Sequence, residues 1–439
     1  MVLAFAYAAL LRTGVFEGGV RAYIHHSNRG ETRQAEKGQN VGFSFEAVAS
    51  VVPGLGLMVA SFFISDEVQR IGFLLAPVAV TAASISAFLS GLRIARSEFD
   101  LVARVSLIRT IFVTPALLGA VLILGAVGVF IAPMAADLLM ICMYATRRPR
   151  LDLRLDFHWS AARRFLRVGF PLGAMAIVYW VYRLIGSTSV GLAEGTRALG
   201  IYLFAAAPVA VLVRALSSVQ AVLIPSLWGE MAGDHGNDRW VRAGNRITLA
   251  IAVMAGVVTN LAQAGFGPLV TIVAPKFTPA IPIFNALAFN VVLLMVASVP
   301  SIVLDSAKVN RQAHQLGIWV AALVVNAAAN AIVLTLGLGS RAVAWNDIWV
   351  QLLVVVVIFA LASPHLGGRH RLGLPMSLLF VAVPLIASAI VLALLPARAA
   401  TLGETAAQLG LRVATVSAIW CAVGMPLVLR RRRIGHWAL

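Results

Sequence analysis

The sequence predicts an all-α integral membrane protein, a polytopic helical bundle of about 13 spans. Composition is the first reason. Of 439 residues, 60% are hydrophobic and 12% charged, with a mean hydropathy of +0.90. A soluble domain carries about 25% charged residues, and a water-soluble core cannot hide this much apolar surface. The second reason is length: apolar runs of about 20 residues, enough to cross the hydrocarbon layer, recur from end to end. Within such a run only a helix satisfies its own backbone. The third reason is the placement of positive charge. Of the 35 lysines and arginines, 26 fall in loops that alternate onto one face, 6 onto the other, and 3 lie within spans. Basic loops stay in the cytoplasm. The asymmetry therefore orients the bundle with its C-terminus inside, and explains the +17 net charge as topology.

The opening segment, residues 1–15, is short. Its start, MVLAFAYAALLRTG, lacks the basic n-region and A-x-A site of a cleavable signal. Further spans are expected near 41–64, 72–91, 107–124, 126–145, 168–190, 199–224, 246–272, 281–304, 315–337, 343–363, 375–395 and 411–429. The loops RAYIHHSNRGETRQAEK, GLRIARSEFDLVARVSLIR, RRPRLDLRLDFHWSAARRFLR, SAKVNRQAH and GGRHRLG, with the terminal RRRR, are basic. The loops between them, such as SDEVQR, APKFTPA and GLGSR, are short and nearly neutral. FDLVARVSLIR and FHWSAARRFLRVGF interleave basic and apolar residues at helical spacing. They predict amphipathic stretches in the headgroup layer, with arginines toward anionic lipid.

Several function classes are excluded. The pI of about 11.3 does not indicate nucleic acid, because the basic residues punctuate spans instead of forming one stripe. Cys142 and Cys421 lie in apolar segments, which argues against a structural disulfide. The eight histidines fall in basic loops without metal-ligand spacing. There is no P-loop, and the loops are too short for a soluble catalytic domain. The expectation is a protein without cofactor or metal that is not an enzyme.

The stretch from Arg163 to Met231 has a G-x-P entry (Gly169, Pro171), an apolar helix with an embedded Arg183, a loop ending in Ala-Leu-Gly-Ile-Tyr at Tyr202, and a helix closing on Pro225. It resembles helices seven and eight of the polysaccharide-transporter branch, the O-antigen flippases, of the multidrug/oligosaccharidyl-lipid/polysaccharide exporter superfamily. TGVFEGGVRAYIHHSNRG resembles the end of that family's second helix, APKFTPAIPIFNALAF its ninth-to-tenth loop, and VVNAAANAIVLTLGLG its eleventh helix. The chain departs from the pattern in places. Tyr182 stands where many relatives carry an Asp before the Arg, and Arg341-Ala342-Val343-Ala344 replaces a Gly-Ala-Ala. The first family helix has no counterpart, so the spans number 14 if a missing first helix is counted.

The resemblance implies two six-helix lobes in the arrangement of the drug-exporting relatives, plus two C-terminal helices. Residues 1–146 would form the N-terminal lobe and 147–167 a basic cytoplasmic interfacial linker. Residues 168–363 would form the C-terminal lobe, and 364–439 the extra helices and basic tail. It implies a flippase that moves an undecaprenyl-pyrophosphate-linked oligosaccharide across a bacterial inner membrane, for lipopolysaccharide or other cell-surface polysaccharide biosynthesis. Its partners would be that lipid, the surrounding membrane lipids and the polysaccharide polymerase machinery. Two lobes would rock around a central site.

Such a substrate needs cations where its pyrophosphate passes, and arginine suits phosphate through paired hydrogen bonds. Ionisable residues inside spans are therefore the candidates. Arg183 and Arg214 are expected in the cavity, with Arg21 guiding the pyrophosphate at the inner mouth and Lys276 meeting the released head outside. Gln220, Asn285, Asn290, Asn326 and Asn330 would contact sugar hydroxyls or bond between helices. Glu46 and Asp137, placed near span ends, are candidates for proton or cation coupling, and Asp347 is expected at the interface. The competing readings are a cation-coupled multidrug exporter, a lipid II flippase, and an integral-membrane glycan polymerase or acyltransferase. The first would favour an acidic cavity, and the last needs a large outward loop.

Overall fold

The computed structural model describes residues 19, 23, 26, 27, 30–96, 98–147, 151, 153–232, 237–306, 309–366, 373–395 and 402–424. The expected span at 1–15, Arg21 and the terminal arginines lie outside the described residues. The helices are α1 (Thr32–Ala60), α2 (Glu67–Ala95), α3 (Phe99–Leu124), α4 (Gly128–Thr146), α5 (Trp159–Ala232), α6 (Asn237–Val273), α7 (Ala280–Asp305), α8 (Gln312–Thr335), α9 (Gly339–Leu366), α10 (Gly373–Leu394) and α11 (Leu402–Ile419). Each expected span from 41–64 to 375–395 falls on these helices, the last, 411–429, begins on α11 and runs past the described residues, and no strand occurs among the described residues. Among the described residues, seven helices are long and apolar enough to cross a membrane, one of them a 45-residue stretch, Gly173–Ser217. Large apolar side chains such as Phe62, Phe63, Leu122, Leu192 and Leu394 stand exposed. That is the surface expected of a bundle solvated by lipid.

The chain divides into two compact units, Met1–Val181 and Tyr182–Leu439. In the first, α1 packs on α2, and α4 packs on both α2 and α3. The α1–α2 approach is set by Gly54, where an added Cβ would lie 2.6 Å from Pro77 Cα. Small residues let membrane helices come this close. Asp66 caps α2, accepting from Gln69 N at 2.7 Å. Arg93 is wholly buried and ties the end of α2 to its neighbours. It donates to Glu98 at 2.5 Å, to the Tyr144 carbonyl at 2.5 Å and to the Arg147 carbonyl at 3.1 Å.

FDLVARVSLIR forms the start of α3, and the tryptophan of FHWSAARRFLRVGF opens α5. Both segments already have helical periodicity, so an unbroken hydrogen-bond ladder into the span leaves no exposed helix ends. Residues 153–158 are the non-helical part, and they lie along α1. Asp156 N donates to Ser44 Oγ at 2.7 Å and Arg154 N to Asn40 Oδ1 at 3.2 Å. Phe157 and Trp159 both pack on Phe45.

In the second unit α7 is the central helix, packed against α6 and α9, with α8 on α9. Its core includes stacked Phe266 and Phe284, with centroids 3.9 Å apart. Helices α10 and α11 dock on α6 through a buried polar chain. Trp420 Nε1 donates to Asn260 Oδ1 at 3.0 Å, Asn260 to Gln263 Oε1 at 3.0 Å, and Gln263 to the Asn285 carbonyl at 2.8 Å. Arg412 of α11 donates to the carbonyl of Leu395, at the end of α10, at 2.7 Å.

Gly54→Ala is expected to destabilise the protein by about 1–3 kcal/mol, because its new methyl meets backbone that cannot swing away. Thermal unfolding in detergent reads this, and an unshifted midpoint would show that α1 and α2 can separate freely.

Candidate functional site

The polar centre of the second unit is built on α5, α8 and α9. Helix α5 breaks at Gly195, whose φ of 84° and ψ of −176° suit glycine. The two arms then lie side by side. A Cβ at Gly186 in the first arm would be 2.7 Å from the Tyr202 hydroxyl in the second. In a straight helix those positions would be about 24 Å apart. The same Cβ would be 2.8 Å from Asp347 Oδ2, which α9 brings to this point.

Asp347 is held from several sides. The Tyr202 hydroxyl donates to its Oδ2 at 2.9 Å, and Asn326 Nδ2 donates to its Oδ1 at 2.8 Å. Its backbone carbonyl accepts from the Tyr182 hydroxyl at 3.2 Å, and Tyr182 packs edge-on against Trp319 with centroids 5.5 Å apart. Asn326 and Asn330 are one helical turn apart on α8, so both face α9. Asn346 Nδ2 bridges their side-chain oxygens at 2.9 and 2.7 Å. Arg183 lies three residues before Gly186 on the same face of α5, the face that meets Asp347 and Tyr202.

Asp347 is expected at the interface near the start of its span, and the geometry adds that its carboxylate is held by protein donors from two other stretches of helix. It also supplies, from α9, a carboxylate that the sequence does not place before Arg183. Tyr202, Tyr182, Gly186 and Asn346 were missed as site residues. The available signals were the adjacent Asn346-Asp347 and the Asn326/Asn330 pair at helical spacing.

The other candidates lie elsewhere or differ in setting. Arg214 is exposed, about 18 Å beyond Tyr202 along the second arm of α5. Asn290 is half-buried on α7, and Asn285 offers its carbonyl to Gln263. Lys276 is exposed in the turn Pro275–Phe277. Gln220 falls on α5, but its side chain, like Arg21, lies outside what the structure describes. Glu46 is buried in the middle of α1 and Asp137 in the middle of α4, not near the helix ends. Asp137 is bonded to Arg109 at 3.2 Å. Arg109, counted above with a basic loop, is an α3 residue, since α3 begins at Phe99. Among the described residues no group of His, Cys, Asp and Glu could hold a metal ion.

Comparison places this architecture in a known class. The fold is that of transporters of the multidrug/oligosaccharidyl-lipid/polysaccharide superfamily. It is similar to a multidrug-resistance MATE family transporter in its outward-facing conformation, with a TM-score of 0.60, 15% identity, and 83% of this chain and 85% of that one covered. It is similar to a superfamily transporter from Pyrococcus furiosus, with a TM-score of 0.59, 14% identity, and 83% and 86% covered. It is also similar to the lipid II flippase MurJ in an inward closed conformation, with a TM-score of 0.58, 12% identity, and 95% and 92% covered. No curated protein sequence matches the chain. Residues 18–238 match the model of the polysaccharide biosynthesis protein family, and the chain belongs to that family.

Gly186→Ala is expected to disrupt the network and lower stability by about 1–3 kcal/mol. Gly200→Ala serves as the control, because nothing lies within 4 Å of the added methyl. Thermal unfolding should separate the two, and equal midpoints would mean that Tyr202 and Asp347 yield without loss.

Proposed function

We propose that this protein is a flippase that moves an undecaprenyl-pyrophosphate-linked oligosaccharide from the cytoplasmic to the periplasmic leaflet of a bacterial inner membrane. It is a transporter, works by alternating access and serves cell-surface polysaccharide synthesis. The observation that carries the reading is Arg183, a cation within an apolar span one helical turn from an anchored polar network, in a chain of the polysaccharide biosynthesis family.

The chemistry follows from the substrate's three parts. Its isoprenoid tail is compatible with lipid and can remain there. Its pyrophosphate must be met by cations when it leaves the surface, and Arg183 offers two parallel donors. Arg214, farther along α5, is a second contact at another depth. The glycan needs neutral hydrogen-bonding groups, for which Asn290 is a half-buried candidate. Asn326 and Asn330 spend their side-chain oxygens between helices, and hold the site in shape. Basic loops keep the C-terminal tail in the cytoplasm, while Lys276 faces the periplasm. A cation-coupled drug exporter is a weaker reading, because Asp137 and Asp347 are each bonded to protein donors.

In a deletion strain, lipid-linked repeat units should accumulate on the inner leaflet, and complementation should clear them. Arg183→Ala should reduce clearance about 10–100-fold, the loss of one charge-assisted contact. Arg183→Lys should rescue only in part. Mass spectrometry of the two leaflet pools checks this, with a folded Arg183→Ala that exports normally counting against the phosphate contact.

A further inference from the structure

Arg183 does not wait for its substrate in an empty apolar space. It shares a helix face with Gly186, and the absence of a side chain there brings that face against the Asp347 carboxylate and the Tyr202 hydroxyl. Asp347 is fixed by neutral donors, Asn326 on one oxygen and Tyr202 on the other. Neutral hydrogen bonds orient a carboxylate without cancelling its charge. An uncompensated charge between membrane helices is strongly disfavoured. Arg183, one helical turn before Gly186, is the cation that this shared face brings toward the carboxylate.

From this geometry we infer that Asp347 is a built-in counter-ion and a positioning residue. It holds Arg183 when no substrate is present and yields it to the pyrophosphate when the substrate arrives. The inference rests on the reading of Arg183 as a pyrophosphate contact. A carboxylate and a phosphate present the same paired oxygens to a guanidinium, so one can replace the other without leaving Arg183 unpaired. Asp347 is not stranded in the exchange, since Asn326 and Tyr202 remain on it. On the far side of the cycle the carboxylate takes Arg183 back and helps the product leave.

The exchange also sets selectivity. A pyrophosphate diester carries two negative charges and can outcompete one carboxylate. An ordinary anionic phospholipid carries a single phosphodiester charge and cannot. The counter-ion therefore keeps the bulk lipids of the membrane off Arg183.

The test uses the full chain in nanodiscs, with undecaprenyl pyrophosphate as the probe and phosphatidylglycerol as the competitor, binding being read by native mass spectrometry. Asp347→Asn keeps the size of the side chain and removes its charge. It should bind undecaprenyl pyrophosphate about ten-fold more tightly, lose its preference over phosphatidylglycerol and export more slowly. Asp347→Glu should restore the preference. Unchanged or weakened binding in a folded Asp347→Asn protein would overturn the inference. Tyr202→Phe provides a change of opposite sign. With one donor gone, the carboxylate grips Arg183 harder, and binding should weaken a few-fold. If Asp347→Asn does not fold, binding by Tyr202→Phe that stays equal to wild type or tightens is the overturning result. Arg183→Ala separates the two levels of the argument. If it binds the probe as wild type does, the pyrophosphate contact itself is wrong. If it loses binding while Asp347→Asn behaves as wild type, only the counter-ion is wrong.

Discussion

A charge in the hydrocarbon interior of a membrane must have a partner, and that requirement shapes much of what is unusual in this bundle. Several of the charged side chains described within the helices meet it by reaching across to a different helix. Asp137 on α4 meets Arg109 on α3. Arg93 on α2 closes on the carbonyls of Tyr144 and Arg147. Asp347 on α9 is met by α5 and α8. These contacts are directional, whereas apolar packing between helices in lipid gains little from the hydrophobic effect. They consequently specify which helices are neighbours.

Glycine does the complementary work. Gly54 lets α1 and α2 touch backbone to backbone, Gly186 opens room for the Asp347 carboxylate, and Gly256 leaves room for the Trp420 ring beside the Asn260 chain. In each case a missing side chain on one helix is the space another helix uses. Gly195 acts differently, through its backbone. By breaking α5 it turns a helix far too long for one span into two adjacent arms, and so places Tyr202 opposite Arg183's face. The candidate site exists only because of that break.

Under the proposed function, the same electrostatics set what the site would have to do. A flippase for a doubly charged head would bind it firmly enough to draw it from the surface and weakly enough to release it. An isolated arginine would favour binding alone. The proposed arrangement, an arginine beside an anchored carboxylate, would balance the two, because the protein itself would compete for the guanidinium.

Much of the fold was legible in one dimension. Apolar runs and alternating basic loops are repeated, local signals, and they determined the helical membrane class, the segments that became α1 to α11 and the family resemblance. Arg183 was legible as a candidate too, since a charge within an apolar run stands out by itself. The carboxylate proposed as its counter-ion was not. Asp347 is 164 residues away and sits near the start of its span, where sequence alone reads a hydrated interfacial carboxylate. Arg109 and Asp137 were separately assigned to a loop and to a span end for the same reason. The sequence by itself determined which residues must avoid lipid. Only the tertiary structure decided how they avoid it, because charge pairing depends on distances of a few ångströms between helices, and helix-to-helix proximity is not written in any local pattern.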